Sequence, residues 1–368
     1  MQETPLIDVN TLEEWLSTGK QVTVLDIRPK DEREDWQIPG SIYLDAYERL
    51  RQGDYAVMDE ISLPKNVPVI AVCAAGNTSK IAARELRKKG IDAYSLEHGM
   101  KGWSLAWNQA IIPFKNYQII QLRRTGKGCL SYIIASNGEA IAIDASLPIE
   151  VYEGVLHQNN WKLKSVIETH IHADHLSRSK LLADHLGVPL YLPVPNKVTF
   201  NYHAIEPDDM INLGGISMQV IATPGHTLES ICLLLNNEIL FTGDTIFTNA
   251  VGRPDLKASE EETRSRTRLL FESLQRLMAL NDAIIVLPAH TSSPIRFDEK
   301  PVQATLAEIK SKVSVLPLPK DEFVKTILSK LPDTPNNYLA IVERNLSGKM
   351  SDINPIDLEA GANRCAVP

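Results

Sequence analysis

Thr169-His170-Ile171-His172-Ala173-Asp174-His175 is the stretch on which the reading of this chain turns. It follows directly on residues 165–169, which read as a buried strand. In an extended segment alternate side chains share a face, so His170, His172 and Asp174 project one way and His175 another. One short loop therefore presents ligands to two neighbouring positions, and imidazole nitrogens with carboxylate oxygens suit zinc, iron or manganese. Farther on, Thr223-Pro224-Gly225-His226-Thr227 places a histidine in a turn after a strand. Thr242-Gly243-Asp244-Thr245 places an acid at a strand end, and Pro288-Ala289-His290 another histidine at a further one. Five of the nine histidines thus fall at predicted strand ends, which points to a metal centre. His98, His157, His185 and His203 stand alone and read as surface or packing residues. Asp144, also at a strand end, is expected to orient a ligand rather than bind metal.

Working outward, the 368 residues divide into two or three domains. Residues 1–112 alternate strands (22–27, 67–72, 93–96) with helices (77–89, closed by Gly90, and around 103–107), the pattern of a mostly parallel sheet. A boundary is expected near Pro113. Residues 113–300 carry more strand: a hairpin over 130–135 and 140–143 turning at Asn137-Gly138, then strands at 165–169, 189–192, 219–222, 231–235, 239–242 and 283–287. Helices are expected over 175–186, closed by Gly187, and 260–280. Residues 301–368 form an extension with two weak helical patterns, in which 358–367 is expected to close over a neighbouring edge or a subunit contact in a homo-oligomer.

Composition narrows the function classes. Apolar residues make up 43% and charged residues 23%, the balance of a globular chain with a core in each domain. With 38 Lys and Arg against 46 Asp and Glu, a net charge of −8, non-specific nucleic-acid binding is not expected. No apolar run reaches the roughly 18 residues of a membrane span, and no signal peptide is read at residues 1–5. Four scattered cysteines make no disulfide framework, so a reducing, cytoplasmic setting is expected. Cys129, Cys232 and Cys365 read as structural.

The motifs H-x-H-x-D-H, P-G-H-T, T-G-D-T and P-A-H, in that order over residues 115–300, resemble the metallo-β-lactamase superfamily. The resemblance implies an αββα sandwich with metals at the loop edge. It gives one metal site His170, His172, His226 and Asp244, and a second Asp174, His175, His290 and the shared Asp244. Two branches of that family fit. Glyoxalase II-like enzymes use two metals, Zn(2+) as a rule, to hydrolyse a thioester. Persulfide dioxygenases hold one Fe(2+) by two histidines and an aspartate, here His170, His226 and Asp244, with His172, Asp174, His175 and His290 around them. Val251-Gly252-Arg253-Pro254-Asp255-Leu256 looks like the G-R-x-D segment of the second branch, which implies that Arg253 lies near substrate. The expected carrier is a small thiol, glutathione or another; Thr291, Ser292 and Ser293 follow His290 where many glutathione-using members carry tyrosine, a departure that counts against glutathione.

Residues 1–112 resemble a rhodanese domain through Leu25-Asp26-Ile27-Arg28, Ile38-Pro39-Gly40-Ser41, the loop from Cys73, and His98-Gly99-Met100-Lys101-Gly102-Trp103. Cys73 opens Cys73-Ala74-Ala75-Gly76-Asn77-Thr78, a six-residue loop expected to wrap its N–H groups around the sulfur ahead of a helix N-terminus. Such a cysteine accepts sulfane sulfur. Ala74 and Thr78 stand where many sulfurtransferases place arginines, which favours a persulfide donor over thiosulfate. A sulfur-transfer domain and a persulfide dioxygenase share the species R–S–S⁻, and tethering raises its effective concentration. The expected function is oxidation of a small thiol persulfide with O2 to sulfite at mononuclear iron. The alternative is a glyoxalase II-like hydroxyacyl-thiol hydrolase with a rhodanese docking module. Candidate catalytic residues are Cys73, Asp174 and His175; Arg253 and Thr227 are candidates for substrate binding.

Overall fold

The computed structural model describes residues 4–334, 337–350, 352–361 and 363–367. Its first sheet is wholly parallel, with the strands Leu6–Ile7, Ala93–Leu96, Val69–Val72, Thr23–Asp26 and Ile42–Tyr43 adjacent in that order. Val69–Val72 is buried at every position because helices cover both faces of a parallel sheet. The helix Thr78–Lys88 packs Ala82, Ala83 and Leu86 onto one of them. The second helix lies at Gly99–Trp103, four residues before its expected place. Residues 104–107 are instead a turn that leads into the next sheet.

That next sheet has seven strands: His203–Ile205, Leu190–Pro193, Lys162–Ile167, Glu139–Ile143, Leu130–Ser136, Gln118–Arg123 and Asn108–Pro113. Asn108–Pro113 pairs antiparallel with Gln118–Arg123, so the second sheet begins before the boundary expected at Pro113. A six-stranded sheet faces it: Met210–Leu213, Ile216–Ala222, Ile231–Leu235, Ile239–Phe241, Ile285–Leu287 and Ala304–Thr305. Between the two sheets lie Tyr132, Ile134, Ile141, Met218, Val220, Leu233 and Phe241. Tyr152, Val155 and Leu182 cover the outer face of the first sheet, and Leu270, Leu274 and Leu277 that of the second. Layered in this way, Leu130–Ser136 and Ile231–Leu235 are buried at every position, which explains the unbroken apolar character of the second. The architecture is the expected αββα sandwich after an α/β domain.

The extension holds more structure than its weak periodicity suggests: the helices Leu306–Lys312, Lys320–Ser329, Tyr338–Ser347 and Pro355–Glu359, and the strand Ala366–Val367. Residues 358–367, of which 362 lies outside the described residues, do close over an edge. Ala366–Val367 pairs antiparallel with Val251–Gly252. The anchor is Glu359, fully buried, which pairs with Arg124 at 2.7 Å and with Arg178, and accepts from the Leu176 N–H at 2.6 Å. Burial opposes its ionisation, but the two guanidiniums hold the carboxyl well below the usual carboxylate range. Removing one member of a buried pair strands the other charge. Glu359→Gln should therefore cost about 3–5 kcal/mol of unfolding free energy by denaturant titration, and a loss below 1 kcal/mol, roughly a surface ion pair, would contradict this role.

Candidate metal centre

The helix expected from residue 175 starts only at Ser179, and residues 168–178 form an irregular loop. Its backbone groups are taken by distant partners, so they cannot build helical turns. Asn345 Nδ2 donates to the carbonyls of His172 and His175, and its Oδ1 accepts from Ser177 N–H. Leu176 N–H goes to Glu359, and Arg178 N–H to the Ala145 carbonyl. The loop is thus a rigid platform held mainly by the extension.

Asp144 orients that platform as expected. It stands at the end of Glu139–Ile143 with φ of 53°, and accepts from Thr169 N–H at 2.7 Å and Thr169 Oγ1 at 2.8 Å. Having donated to Asp144, the Thr169 hydroxyl can only accept from His170 Nδ1, 2.9 Å away. His170 Nε2 is left bare. His226 reaches the same state by donating Nδ1–H to the Arg253 carbonyl at 2.7 Å. The two Nε2 atoms lie 3.7 and 3.5 Å from Asp244 Oδ2, and none of the three atoms has a hydrogen-bond partner. All three residues are buried. Burial lowers both histidine pKa values, that of His170 well below 6.5, with neighbouring histidines adding to the effect on His170. Buried lone pairs without partners are costly unless something binds them, and two imidazoles with one carboxylate fit a first-row divalent metal. Gly252 makes room for this arrangement, since a Cβ there would lie 1.8 Å from the Asp244 carbonyl oxygen.

The remaining expected ligands are engaged differently. His172 Nε2 lies 3.1 Å from Glu168 and 3.3 Å from Asp144. Burial opposes protonation, yet these carboxylates hold its pKa well above 6.5. His290 Nδ1 bonds Asp244 Oδ1 and its Nε2 lies 2.6 Å from Asp174 Oδ2; against burial, the two aspartates raise its pKa well above 6.5. Asp174 accepts in addition from His175 Nδ1 at 3.0 Å, Cys129 Sγ at 3.2 Å and Asn363 Nδ2 at 2.8 Å. His175 keeps a free Nε2. Asp174, His175 and His290 therefore gather at one place, together with Cys129. Burial raises the Cys129 thiol pKa while His175 and His290 lower it, to a net value of about 7.

Three expectations change. Cys129 and Cys365, read as structural, lie beside the candidate ligands, for Cys365 Sγ is also within 4.8 Å of ligand atoms of Asp244 and His290. Arg253 does not face a substrate: its buried guanidinium gives two hydrogen bonds to Asp255 and three to the carbonyls of Pro332, Asp333 and Arg364. That uses all five donors, and the residue secures the extension instead. Thr227 does line a cavity of about 290 Å³ beside His226, its hydroxyl 2.7 Å from Ser230 Oγ. Glu168 and Asn363 were not foreseen. A buried acid directly before the histidine motif was a usable signal for the first, whereas Asn363 lies 189 residues from its partner.

In the first domain, the Cys73 sulfur is buried and accepts from Ser79 N–H at 3.4 Å. The expected ring of N–H donors is not formed; among the described contacts the other partner is Ser79 Oγ at 3.3 Å, itself 2.8 Å from Ser95 Oγ. The loop is held from behind by Met100 and Lys101 N–H groups on the carbonyls of Cys73 and Ala74. Lys101 also pairs with Asp357, on the helix that carries Glu359. His98, His157, His185 and His203 are exposed, as expected.

Two outcomes follow from this geometry. Because His170 and His226 are neutral above a lowered pKa, protons displace metal only once pH falls below 6.5. Metal retained in dialysis at successive pH values should show a release midpoint under 6.5; a midpoint above it would contradict the tautomer assignment. Arg253→Ala should leave metal content unchanged and cost about 1.5–3 kcal/mol in chemical unfolding. Unchanged stability with lost substrate affinity would return Arg253 to the substrate site.

Residues 124–290 match the metallo-beta-lactamase superfamily, and residues 8–106 the rhodanese-like domain. Hydroxyacylglutathione hydrolase of Xylella fastidiosa is 35% identical over 149 residues, 40% of this chain and 54% of that protein. The chain thus spans about half the length of the hydroxyacylglutathione hydrolases it matches. The probable polyketide biosynthesis zinc-dependent hydrolase BaeB of Bacillus velezensis is 31% identical over 201 residues, 52% of this chain and 84% of BaeB. Among solved structures, a metallo-beta-lactamase from Staphylococcus aureus superposes with TM-score 0.59 at 27% identity, covering 66% of this chain and 75% of that one. ETHE1 from Myxococcus xanthus does so with TM-score 0.55 at 25% identity, covering 62% and 97%. With its four motifs gathered at the edge of an αββα sandwich, the chain belongs to the metallo-β-lactamase superfamily and carries a rhodanese-like domain ahead of the metal-binding one.

Proposed function

We propose that the protein is a persulfide dioxygenase, oxidising a small thiol persulfide with O2 at a single Fe(2+) held by His170, His226 and Asp244. One observation carries this reading. Three buried atoms without partners converge at that triad within reach of one ion, while His290 Nδ1 bonds Asp244 and Asp174 accepts from His175, Cys129 and Asn363. Iron(II) there would supply redox chemistry with O2 and the persulfide sulfur at the positions a two-histidine, one-carboxylate set leaves open. Overall, the persulfide, O2 and water become the thiol, sulfite and two protons.

The protein's own groups do the rest. The cavity beside His226 offers Ile171, Leu256 and Val342 to the carrier's apolar part. Its cations Lys197, Lys257 and Arg266 suit carboxylates on the carrier, such as those of glutathione, and take over the part expected of Arg253. The acids lining it are already engaged, Glu229 with Ile171 N–H and Glu262 with Ser259 N–H. His290 holds its protons between Asp174 and Asp244 and fixes the Asp244 carboxylate, so that Oδ2 faces His170 and His226. Asp174 and His175 are proposed to act through this contact. Cys73 would attack the outer sulfur of a donor persulfide, breaking its S–S bond and releasing the donor thiol, and a small acceptor thiol would then take that sulfur as its own persulfide and free Cys73. All four cysteines are free, in keeping with a reducing cytoplasmic setting. Among the described residues no helix is long and apolar enough to cross a membrane.

Identity with hydroxyacylglutathione hydrolase supports a second reading, a thioester hydrolase with two Zn(2+). Its second ion would use Asp174, His175 and His290, whose ligand atoms lie within 4.8 Å of one another beside Cys129. Metal analysis with O2 uptake separates the two. About one iron per chain and persulfide-dependent O2 consumption, both lost in Asp244→Ala, are expected; two zinc ions with thioester hydrolysis would overturn the proposal. Cys73→Ser should lose sulfur transfer from a persulfide donor and keep O2 uptake; loss of both would show that the domains do not act separately.

A further inference from the structure

Ala173, inside the histidine motif, lines two cavities. One is the cavity beside His226, and the other, of about 190 Å³, reaches Asp174. Three parts of the chain wall this second cavity: Asp35 of the first domain, Lys127 of the turn before Leu130–Ser136, and Asn337, Gly361 and Arg364 of the extension. At about 30 Å³ per water it has room for roughly six, enough for a small oxyanion with some of its hydration.

Lys127 is only 5% exposed, and its ammonium donates once, to the Gly361 carbonyl at 3.1 Å. An ammonium has three protons to give, and among the described residues no carboxylate pairs with this one. The acids on the cavity wall are already taken. Asp35 pairs with Arg364 at 2.7 Å, and Asp174 accepts from His175, Cys129 and Asn363 and lies 2.6 Å from His290 Nε2. A buried charge without a counter-charge is costly, and an anion in the cavity would relieve that cost. The turn that carries Lys127 is wedged in place. A Cβ at Gly126 would lie 1.6 Å from the Trp103 carbonyl oxygen, and one at Gly128 2.4 Å from that of Thr291. Cys129, two residues on, bridges to His290, so Lys127 is fixed directly behind the metal centre.

We propose that this cavity is a small-oxyanion site with Lys127 as its cation, and that it receives the sulfite formed at the metal centre. The charge of the ligand follows from the cavity alone, while its identity as sulfite rests on the persulfide dioxygenase reading above. That reaction leaves two products. The carrier thiol occupies the cavity beside His226, and sulfite departs on the other side of the motif loop, where the Lys127 ammonium offers charge-assisted hydrogen bonds to its oxygens. Arg364 gives one hydrogen bond to Asp35 and has further donors for the same anion.

The test is calorimetric titration of the full-length iron protein under argon with sulfite and, separately, with phosphate. Sulfite should bind at about one per chain and more tightly than phosphate. Lys127→Met should weaken sulfite binding on the order of tenfold or more, with iron content unchanged. Thr334 stands exposed at the rim, and Thr334→Trp, which fills the mouth, should also weaken sulfite binding should the methionine variant fold poorly. Sulfite affinity unchanged in both variants would overturn the site. Phosphate bound as tightly as sulfite would overturn its assignment to the product. Lys127-dependent sulfite binding in a protein without persulfide-dependent O2 uptake would overturn the dioxygenase reading and leave the oxyanion site standing.

Discussion

The hydroxyl of Thr169 carries one proton and stands between two partners, Asp144 and His170. An ionised carboxylate has no proton to give, so the hydroxyl donates to Asp144 and accepts from His170. The tautomer of His170 follows, and with it the bare Nε2 that faces Asp244. Much of the surrounding structure serves this contact. Asp144 adopts a left-handed backbone conformation to point both oxygens at Thr169. Gly243 lies so near that a Cβ would come within 2.6 Å of the Thr169 hydroxyl, which brings Asp244 up against His170.

Around that contact the buried histidines divide in two. His170 and His226 each have one nitrogen tied to an uncharged acceptor, so burial keeps them neutral with a lone pair free. His172 and His290 lie against carboxylates, which favour the protonated ring. One residue type thereby supplies both ligands and clamps, and the choice is made by what stands next to each ring. The extension contributes to both. Asn345 fixes the loop carbonyls, Asn363 fixes Asp174, and Glu359 ties the same segment to Arg124 and Arg178. Through Lys101 and Asp357 the extension also touches the short helix that holds the Cys73 loop. The sulfur-transfer loop and the metal centre thus lean on one piece of chain.

Much of this was legible before the structure. Period-two and unbroken apolar runs marked most of the strands, and short motifs at strand ends marked the ligands, because both are local consequences of sheet geometry. Asn108–Pro113 escaped because its boundary was read from Pro113 itself, the last residue of an edge strand where a missing N–H does no harm. The helix expected from His175 failed because its backbone is bonded to Asn345, Glu359 and Ala145, none of which is near in sequence. Arg253 misled for a related reason. An arginine on a loop beside a ligand looks available until the carbonyls 79–111 residues away that claim its donors are seen. Cys129 and Cys365 carried no local mark of the metal centre, since their proximity to it is created by the sandwich edge and the closing strand.

The claim on which the rest depends is that one iron has adjacent open positions for a gas and a sulfur ligand. Electron paramagnetic resonance of the anaerobic Fe(II) protein with nitric oxide, an O2 surrogate, measures this directly. The account predicts a half-integer-spin nitrosyl signal integrating to about one per chain, with a line shape that changes when a non-oxidisable persulfide analogue is added. No nitrosyl signal from iron-loaded protein, or a signal indifferent to the analogue at saturating concentration, would contradict it.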